Sequence, residues 1–273
     1  MSACILSQKI LLLKVMDKFV GKSDSNSVST SKGSSLSSSI TQAIVLCAGR
    51  GKRLKPHTDT TPKPLLPVSG KPTLDFVFDS LSRAGIERVV LVTHYLGEQI
   101  EAYAQQQSFF PTGAIHCVDQ KKLSGTADAT LIALKAKPAW FKNSFLLTAS
   151  DYLVPQDFYS DLLQAHQQSG QTIACSLKRI AESEMNMRSS VRFNAKHDVL
   201  EVVEKPAPGT APSALSANLV YVLPADIKRY IEVVEFSERG EKEIQTAINQ
   251  YLQDHGPARG LEQATPIEWH EQL

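Results

Sequence analysis

Apolar runs of strand length alternate with amphipathic segments of helical period along most of the chain. Residues 43–47, 88–93 and 144–149 are apolar almost throughout, as is typical of strands that are buried on both faces of a sheet. Residues 73–84 lie between the first two runs and carry their apolar side chains at helical spacing. This alternation predicts an α/β fold with a mostly parallel sheet and helices on both of its faces.

The same patterns predict further elements towards the C-terminus. Further helices are predicted at residues 96–106, 126–136, 157–168, 224–234 and 241–252. Further strands are predicted at residues 114–118, 172–177, 190–193, 199–203 and 218–222. After residue 171 the strands follow one another with few helices between them. We expect this half to complete the same sheet and to form a second lobe.

The first 39 residues do not follow this pattern. Serine dominates residues 22–39 and there is almost nothing apolar to bury, so residues 1–39 are predicted to be a disordered or targeting extension. The apolar run at residues 10–13 is too short to span a bilayer, and no convincing secretory signal is seen. We therefore expect a cytoplasmic protein without a membrane partner. Its folded domain is predicted at residues 40–273, and a truncated C-terminal end is left open.

The composition argues against several classes of protein. A formal net charge of +1 on 273 residues argues against a nucleic-acid partner. The four cysteines have no Cys-x-x-Cys spacing, so neither a zinc site nor a disulfide scaffold is predicted. A homo-oligomer is compatible with the sequence but is not specified by it.

The strongest chemical signal follows the first predicted strand. Gly49 and Gly51 can bring the backbone close to a ligand and turn N–H groups onto phosphate oxygens. Fixed cations near them would neutralise phosphate charge. These cations are Arg50, Lys52, Arg53, Lys55 and, slightly later, Lys63. The loop therefore indicates a polyphosphate ligand.

The order of these residues is more specific than their composition. The string AGRGKRLKPHT at residues 48–58, with PKPLLPV at 62–68 and KP at 71–72, closely resembles the signature of sugar-1-phosphate nucleotidyltransferases such as glucose-1-phosphate thymidylyl- and uridylyltransferases. The resemblance implies a Rossmann-like, GT-A-like fold. It also implies transfer of a nucleoside monophosphate from a nucleoside triphosphate to a sugar 1-phosphate, with Mg²⁺ as cofactor and pyrophosphate as second product.

The resemblance also assigns roles within the loop. Ala48, Gly49 and Gly51 would cradle the triphosphate. Arg53 would stabilise the pyrophosphate leaving group, and Lys63 would reach the α-phosphate.

Gln120 and the loop Gly125-Thr126 form a second constellation. A glutamine amide offers a donor and an acceptor to the Watson–Crick edge of a pyrimidine, and Gly125 permits close approach of the backbone. In the resembled family such residues surround the base. The plainer interpretation is a helix cap by Ser124 or Thr126. The choice among UTP, dTTP and CTP stays open.

Three further candidate sites lie at predicted strand ends. Asp151 follows a buried strand and could hold Mg²⁺ against phosphate oxygens, although Ser150 stands where the family usually has glycine. In the Glu-Lys-Pro motif, the resemblance places Lys205 on the sugar phosphate and Glu204 on the sugar. Asn218 lies where the family often has an asparagine near the sugar. The second half of the chain would thus be the sugar-side lobe.

The C-terminal end departs from the family pattern. The family usually offers a second metal carboxylate there, and Glu271 stands at the matching Trp-x-acid position two residues before the end. Either Glu271 is the ligand, or the chain is truncated, or the ligand is lost. Two alternative functions therefore stay open. They are a phosphocholine-type cytidylyltransferase, and a catalytically inactive regulatory protein that binds nucleotide-sugars.

Overall fold

The computed structural model describes residues 40–170 and 172–263, which contain a seven-stranded sheet. The strands are β1 (Gln42–Leu46), β2 (Pro67–Val68), β3 (Lys71–Pro72), β4 (Arg88–Thr93), β5 (Ile115–Asp119), β6 (Phe145–Ala149), β7 (Ala174–Arg179), β8 (Ser189–Phe193), β9 (Val199–Glu204), β10 (Leu215–Leu223) and β11 (Arg259–Glu262). The α-helices are α1 (Thr73–Arg83), α2 (Gly97–Gln106), α3 (Thr126–Ala136), α4 (Phe158–Gln168), α5 (Ile227–Glu232) and α6 (Ile244–His255).

The main sheet has the strand order β11-β7-β10-β6-β1-β4-β5. All neighbouring pairs are parallel except those made by β10, which runs antiparallel to both β6 and β7. β1 lies inside the sheet between β4 and β6, where Ile44 is in register with Val90 on one side and Leu147 on the other. The predicted mostly parallel sheet is therefore confirmed.

Successive residues of the central strands contribute to two different hydrophobic clusters. Ile44 packs in the cluster that includes helices α3, α5 and α6, whereas Val45 packs in the cluster that includes α1, α2 and α4. Both side chains are fully buried. This explains why the strand sequence is apolar throughout rather than on alternate positions.

The C-terminal half departs from the prediction in four places. β8 and β9 form a separate antiparallel hairpin instead of joining the main sheet. β10 begins three residues before the predicted strand, and α5 is shorter than predicted. β11 was not predicted, because its four residues contain one large apolar side chain, Leu261. It forms by pairing in parallel with β7, where a side chain on Gly260 would collide with Leu177.

Two predictions fall on parts of the chain outside the described residues. These are the extension at residues 1–39 and the metal ligand Glu271. Within residues 40–170 and 172–263, no helix is both long and apolar enough to cross a bilayer.

Candidate active site

A cleft of about 1030 Å³ opens where β1 and β6 end, beside the middle of β10. Ligand sites of open parallel sheets are expected at this edge, because the chain leaves the strands there in loops. Ten of the predicted site residues line it: Ala48, Gly49, Gly51, Arg53, Lys63, Gln120, Gly125, Thr126, Asp151 and Asn218. The fold thus gathers residues from across the sequence into one cleft.

The glycine loop after β1 is held in place by hydrogen bonds to its backbone. Gly51 has a φ of 61°, and a Cβ there would lie 2.8 Å from Cγ2 of Thr58. The Thr58 hydroxyl donates to the carbonyl of Gly51 at 3.0 Å, and the Tyr95 hydroxyl donates to the carbonyl of Thr58 at 2.9 Å. A side chain at position 51 would be strained and crowded. The cationic Arg53 is exposed at the edge of the cleft.

An ion pair between Lys63 and Asp151 lies in the cleft. The two residues are 88 positions apart, and their side chains are 18% and 24% exposed. Lys63 belongs to a short 3-10 turn that Thr73 anchors by donating to the carbonyl of Pro64 at 2.9 Å. Asp151 follows Ser150, whose backbone N–H donates to the carbonyl of Leu46 at 3.1 Å. The pair therefore brings together the loop that follows β1 and the end of β6.

Cys47 also lines the cleft but is not suited to nucleophilic chemistry. Burial raises the pKa of its thiol far above the ordinary value, so the group stays protonated at neutral pH.

Gln120 and Gly125 also line the cleft. The Gln120 side-chain Nε2 donates to the carbonyl of Gly125 at 3.1 Å and to Oδ2 of Asp128 at 3.0 Å. Because both partners are acceptors, the NH₂ group of the amide must face them, and this fixes the orientation of the amide. Within the described residues, no hydrogen bond engages the remaining atom, Oε1. The amide therefore offers an acceptor alone, and not the donor and acceptor predicted from the sequence.

The loop at Gly125 is docked onto the chain just before α6. Gly125 has a φ of 109°, and a Cβ there would lie 2.3 Å from the backbone oxygen of Lys242. The N–H of Ala127 donates to that same oxygen at 2.9 Å, and the N–H of Ile244 donates to the Thr126 hydroxyl at 3.0 Å. The glycine therefore permits close packing of two backbones, and Thr126 caps the neighbouring helix rather than its own.

The third part of the cleft lies over β10 and β7. Asn218 is buried there and approaches the hydroxyl of Ser176 at 3.5 Å, and Gln263 donates to that hydroxyl at 2.8 Å. Lys178 and Arg188 also line this part of the cleft and were not identified from the sequence. Lys178 could have been identified from the sequence, because it directly follows a predicted strand and ligand sites lie at strand ends. Arg188 lies in an irregular segment, where no sequence pattern marks it.

Two predicted sugar-binding residues do not line the cleft. Lys205 is exposed and has a φ of 46°, and Glu204 is partly buried. A carboxylate oxygen of Glu204 lies 3.8 Å from Nη2 of Arg239. Burial raises the pKa of Glu204, although the charge of Arg239 acts in the opposite direction. Their sugar contacts remain predictions.

Asp151 is a carboxylate in the cleft that could hold a metal ion together with groups of a bound substrate. Within the described residues, no group of three or more metal-ligating side chains is found. Mg²⁺ is commonly held by one or two carboxylates together with substrate phosphates and waters, and Asp151 can supply one such carboxylate. The predicted second ligand, Glu271, lies outside the described residues.

The fold and the cleft define an α/β protein with a glycine loop at the end of β1, a strand inside the sheet. The family model for nucleotidyl transferases matches residues 42–268, which is most of the chain. The chain therefore belongs to the nucleotidyl transferase family, as the signature predicted.

Relatives in this family include two kinds of protein. The chain is 29% identical over 220 residues to the bifunctional protein GlmU of Methanococcus maripaludis, covering 81% of this chain and 49% of that protein. It is 27% identical over 233 residues to UTP--glucose-1-phosphate uridylyltransferase 2 of Staphylococcus saprophyticus, covering 77% of this chain and 80% of that protein. The chain thus spans about half the length of the GlmU relatives.

Solved structures share the fold. A UDP-glucose pyrophosphorylase complexed with UDP-glucose superposes with a TM-score of 0.74 at 22% identity, over 82% of this chain and 91% of that one. A UDP-glucose pyrophosphorylase from Acinetobacter baumannii gives a TM-score of 0.69 at 24% identity, over 82% of this chain and 86% of that one. The predicted nucleotidyltransferase fold is confirmed.

Proposed function

We propose that this protein is a sugar-1-phosphate nucleotidyltransferase that uses UTP or dTTP. The observation that carries the proposal is the meeting in one cleft of the glycine loop, the Lys63–Asp151 pair and the Gln120 amide. The reaction needs backbone groups that bind phosphates, charged side chains at the reacting phosphorus and a group that recognises the base. These three features can supply them. The family membership and the uridylyltransferase relative support the same activity.

The proposed chemistry is an in-line displacement at the α-phosphorus. An oxygen of the sugar 1-phosphate forms a bond to the α-phosphorus, and the bond from that phosphorus to the bridging oxygen of pyrophosphate breaks. No general base is needed, because the phosphate monoester is already an anion. The protein therefore acts by positioning two anions and compensating their charge.

Each part of the cleft has a place in this proposal. The backbone at Gly49 and Gly51 binds the triphosphate, and Arg53 compensates charge on the departing pyrophosphate. Lys63 orients the α-phosphate, and Asp151 would hold Mg²⁺. When bound, this ion supplies additional charge neutralisation at the phosphates. When substrate binds, Lys63 would exchange the Asp151 carboxylate for the α-phosphate, and Asp151 would exchange the Lys63 ammonium for Mg²⁺. Each charge in the cleft would therefore keep a partner of opposite sign.

The base proposal rests on Oε1 of Gln120. Uracil and thymine present an N3–H donor on the Watson–Crick edge, and Oε1 is an acceptor that no protein donor occupies within the described residues. The uridylyltransferase relative supports a uracil base. Cytosine has no hydrogen on N3, so CTP could donate to Oε1 only from its exocyclic amino group.

A panel of substrates tests the proposed activity. Purified protein with Mg²⁺ is mixed with UTP, dTTP, CTP or ATP and with glucose 1-phosphate, N-acetylglucosamine 1-phosphate, glucuronic acid 1-phosphate or phosphocholine, and pyrophosphate release is measured. We expect release with UTP or dTTP and a sugar 1-phosphate. Release with CTP and phosphocholine alone would show the cytidylyltransferase. Nucleotide-sugar binding without release would show the regulatory protein.

Replacing Gln120 with Ala is expected to weaken base selection. The variant should lower kcat/KM for UTP by roughly 10–100-fold, the scale of one hydrogen bond to a base that is lost in a buried site. Activity with ATP should change less, so the UTP-to-ATP ratio falls. Steady-state kinetics with both nucleotides measure this ratio.

The matched control is Asp128→Ala. It removes a partner of Gln120 but keeps Oε1, so stability should fall while the UTP-to-ATP ratio is largely retained. An unchanged ratio in the Gln120→Ala protein would refute the role of Gln120 in reading the base.

A further inference from the structure

The turn between β4 and α2 is bonded to the segment that follows the glycine loop. The Tyr95 hydroxyl donates to the carbonyl of Thr58 at 2.9 Å and lies 3.2 Å from the carbonyl oxygen of Asp59. Gln99, in the first turn of α2, donates through its side-chain amide to the carbonyl of Thr60 at 3.0 Å. Three successive carbonyls of this segment are therefore held by side chains 36 to 39 positions further along the chain.

Thr58 connects these bonds to the glycine loop. Its hydroxyl donates to the carbonyl of Gly51 at 3.0 Å. Thr58 is 1% exposed, so water has little access to replace a bond that its carbonyl loses. Of the residues Tyr95, Thr58 and Gly51, only Gly51 lines the cleft. Tyr95 can therefore affect a ligand through the loop and not by touching it.

The ring of Tyr95 also contacts the loop. The guanidinium carbon of Arg50 lies 5.8 Å from the ring centroid, a distance at which a cation is attracted to the face of an aromatic ring. Arg50 is one of the cations expected to neutralise phosphate charge, but it is exposed and does not line the cleft. Since it stands between Gly49 and Gly51, its contact with the ring further restrains the backbone of the loop.

From these contacts we infer that Tyr95 is a positioning residue for the nucleoside triphosphate, and that it acts through Thr58 by holding the glycine loop in its binding conformation. This inference rests on the proposed function, which places the triphosphate on the loop. Backbone N–H groups bind a phosphate when several of them point at it together, and a loop that already has this conformation loses less entropy when the ligand binds. Tyr95 takes no part in the chemical step.

Calorimetric titration with UTP and with UMP, in the presence of Mg²⁺, tests the inference in the intact protein. UMP lacks the β- and γ-phosphates, so the ratio of the two Kd values reports binding by the glycine loop. Tyr95→Phe removes the hydroxyl and keeps the ring beside Arg50. We expect the Kd for UTP to rise roughly 5–20-fold, the scale of one or two lost hydrogen bonds, and the Kd for UMP to stay within about 2-fold. No rise for UTP, or an equal rise for both nucleotides, would overturn the inference.

Tyr103→Phe is the matched control. Tyr103 lies on α2, and its hydroxyl donates to Oδ1 of Asp75 at 2.6 Å rather than to the segment after the glycine loop. The variant loses the same atom from the same region of the fold, so its UTP-to-UMP ratio should equal that of the wild type even where its stability falls. A ratio that changes equally in both variants would mean that general loosening of α2 is responsible, and the inference would be wrong.

A double variant tests the route through Thr58. Thr58→Val keeps the shape of the side chain but removes the hydroxyl that donates to Gly51. If Tyr95 acts through Thr58, the two losses of UTP affinity overlap, and the double variant should bind UTP within about 2-fold of the weaker single variant. Losses that multiply would show that the two side chains act independently and would overturn the route.

Binding without turnover separates failure of this inference from failure of the proposed function. If the wild type binds UTP more tightly than UMP but releases pyrophosphate with no sugar 1-phosphate, the proposed function fails, and the titrations of Tyr95→Phe still decide the inference. If the wild type binds UTP no more tightly than UMP, the loop does not bind the β- and γ-phosphates, and the inference is overturned whatever the turnover.

Discussion

Asp151→Asn is expected to lower turnover by about 10³-fold or more, the upper scale for one preorganised charged group. The carboxylate lies in the cleft against Lys63, at the place where the α-phosphate is proposed to react. The amide keeps the shape of the side chain but removes its charge, so it can neither balance Lys63 nor hold Mg²⁺ as a carboxylate does. Nucleotide should still bind, because the glycine loop and Arg53 are unchanged. Pyrophosphate release and nucleotide titration measure the two effects separately.

The matched control for this variant is Asp119→Asn. Asp119 also stands at the end of a parallel strand, but its side chain is 55% exposed and does not line the cleft. Its replacement should leave turnover within about 2-fold, as for most exposed substitutions. If Asp151→Asn keeps full activity with Mg²⁺, the proposed charged centre is wrong. If nucleotide binding is lost together with turnover, Asp151 has a structural role in the loop instead.

Gly125→Ala is expected to destabilise the domain by roughly 2–5 kcal/mol, from backbone strain and overpacking together. The φ of 109° is one that residues with a side chain rarely adopt, and the new methyl group would meet the backbone of Lys242 at 2.3 Å. Backbone atoms cannot swing away as a flexible side chain can. If the loop at Gly125 moved away from the backbone at Lys242, Gln120 would also be displaced, because it donates to the carbonyl of Gly125. UTP affinity should therefore fall with stability.

Gly113→Ala is the control for this second variant. Gly113 has a φ of 83°, and a Cβ there meets no atom within 4 Å. Its replacement should cost about 1–2 kcal/mol from backbone strain alone and leave UTP affinity unchanged. Denaturant unfolding and nucleotide titration compare the two proteins. An equal loss of stability in both would show that the contact with Lys242 contributes nothing.

Much of the fold could be predicted because its signals are local. Burial on both faces of the sheet requires unbroken apolar runs, and strands β4 and β6 therefore appear in the sequence within a residue of their observed bounds. Helix α3 begins and ends as predicted, since its apolar positions and the preceding Gly125 mark it. Strand β11 lacked such a signal, because its stability comes from pairing with β7 and not from its own residues.

The candidate site could be predicted where a short motif holds it together. The glycine loop carries its own turn residues and cations in one stretch, so its place at the end of β1 followed from the sequence. Lys205 shows the limit of this reasoning, because the Glu-Lys-Pro motif is present and yet its lysine lies on an exposed part of the chain outside the cleft.

By itself the sequence determined the α/β class, the order of most elements and the place of the glycine loop, because hydrophobic period and loop motifs are properties of neighbouring residues. Only the tertiary structure decided which distant groups meet. Lys63 contacts Asp151 across 88 positions, and Thr126 accepts from Ile244 across 118. It also decided that Asp128 and Gly125 occupy the donor of Gln120, and that Arg188 faces the same cleft as Lys178. Such contacts depend on how strands are ordered and helices are docked, and no local pattern encodes them.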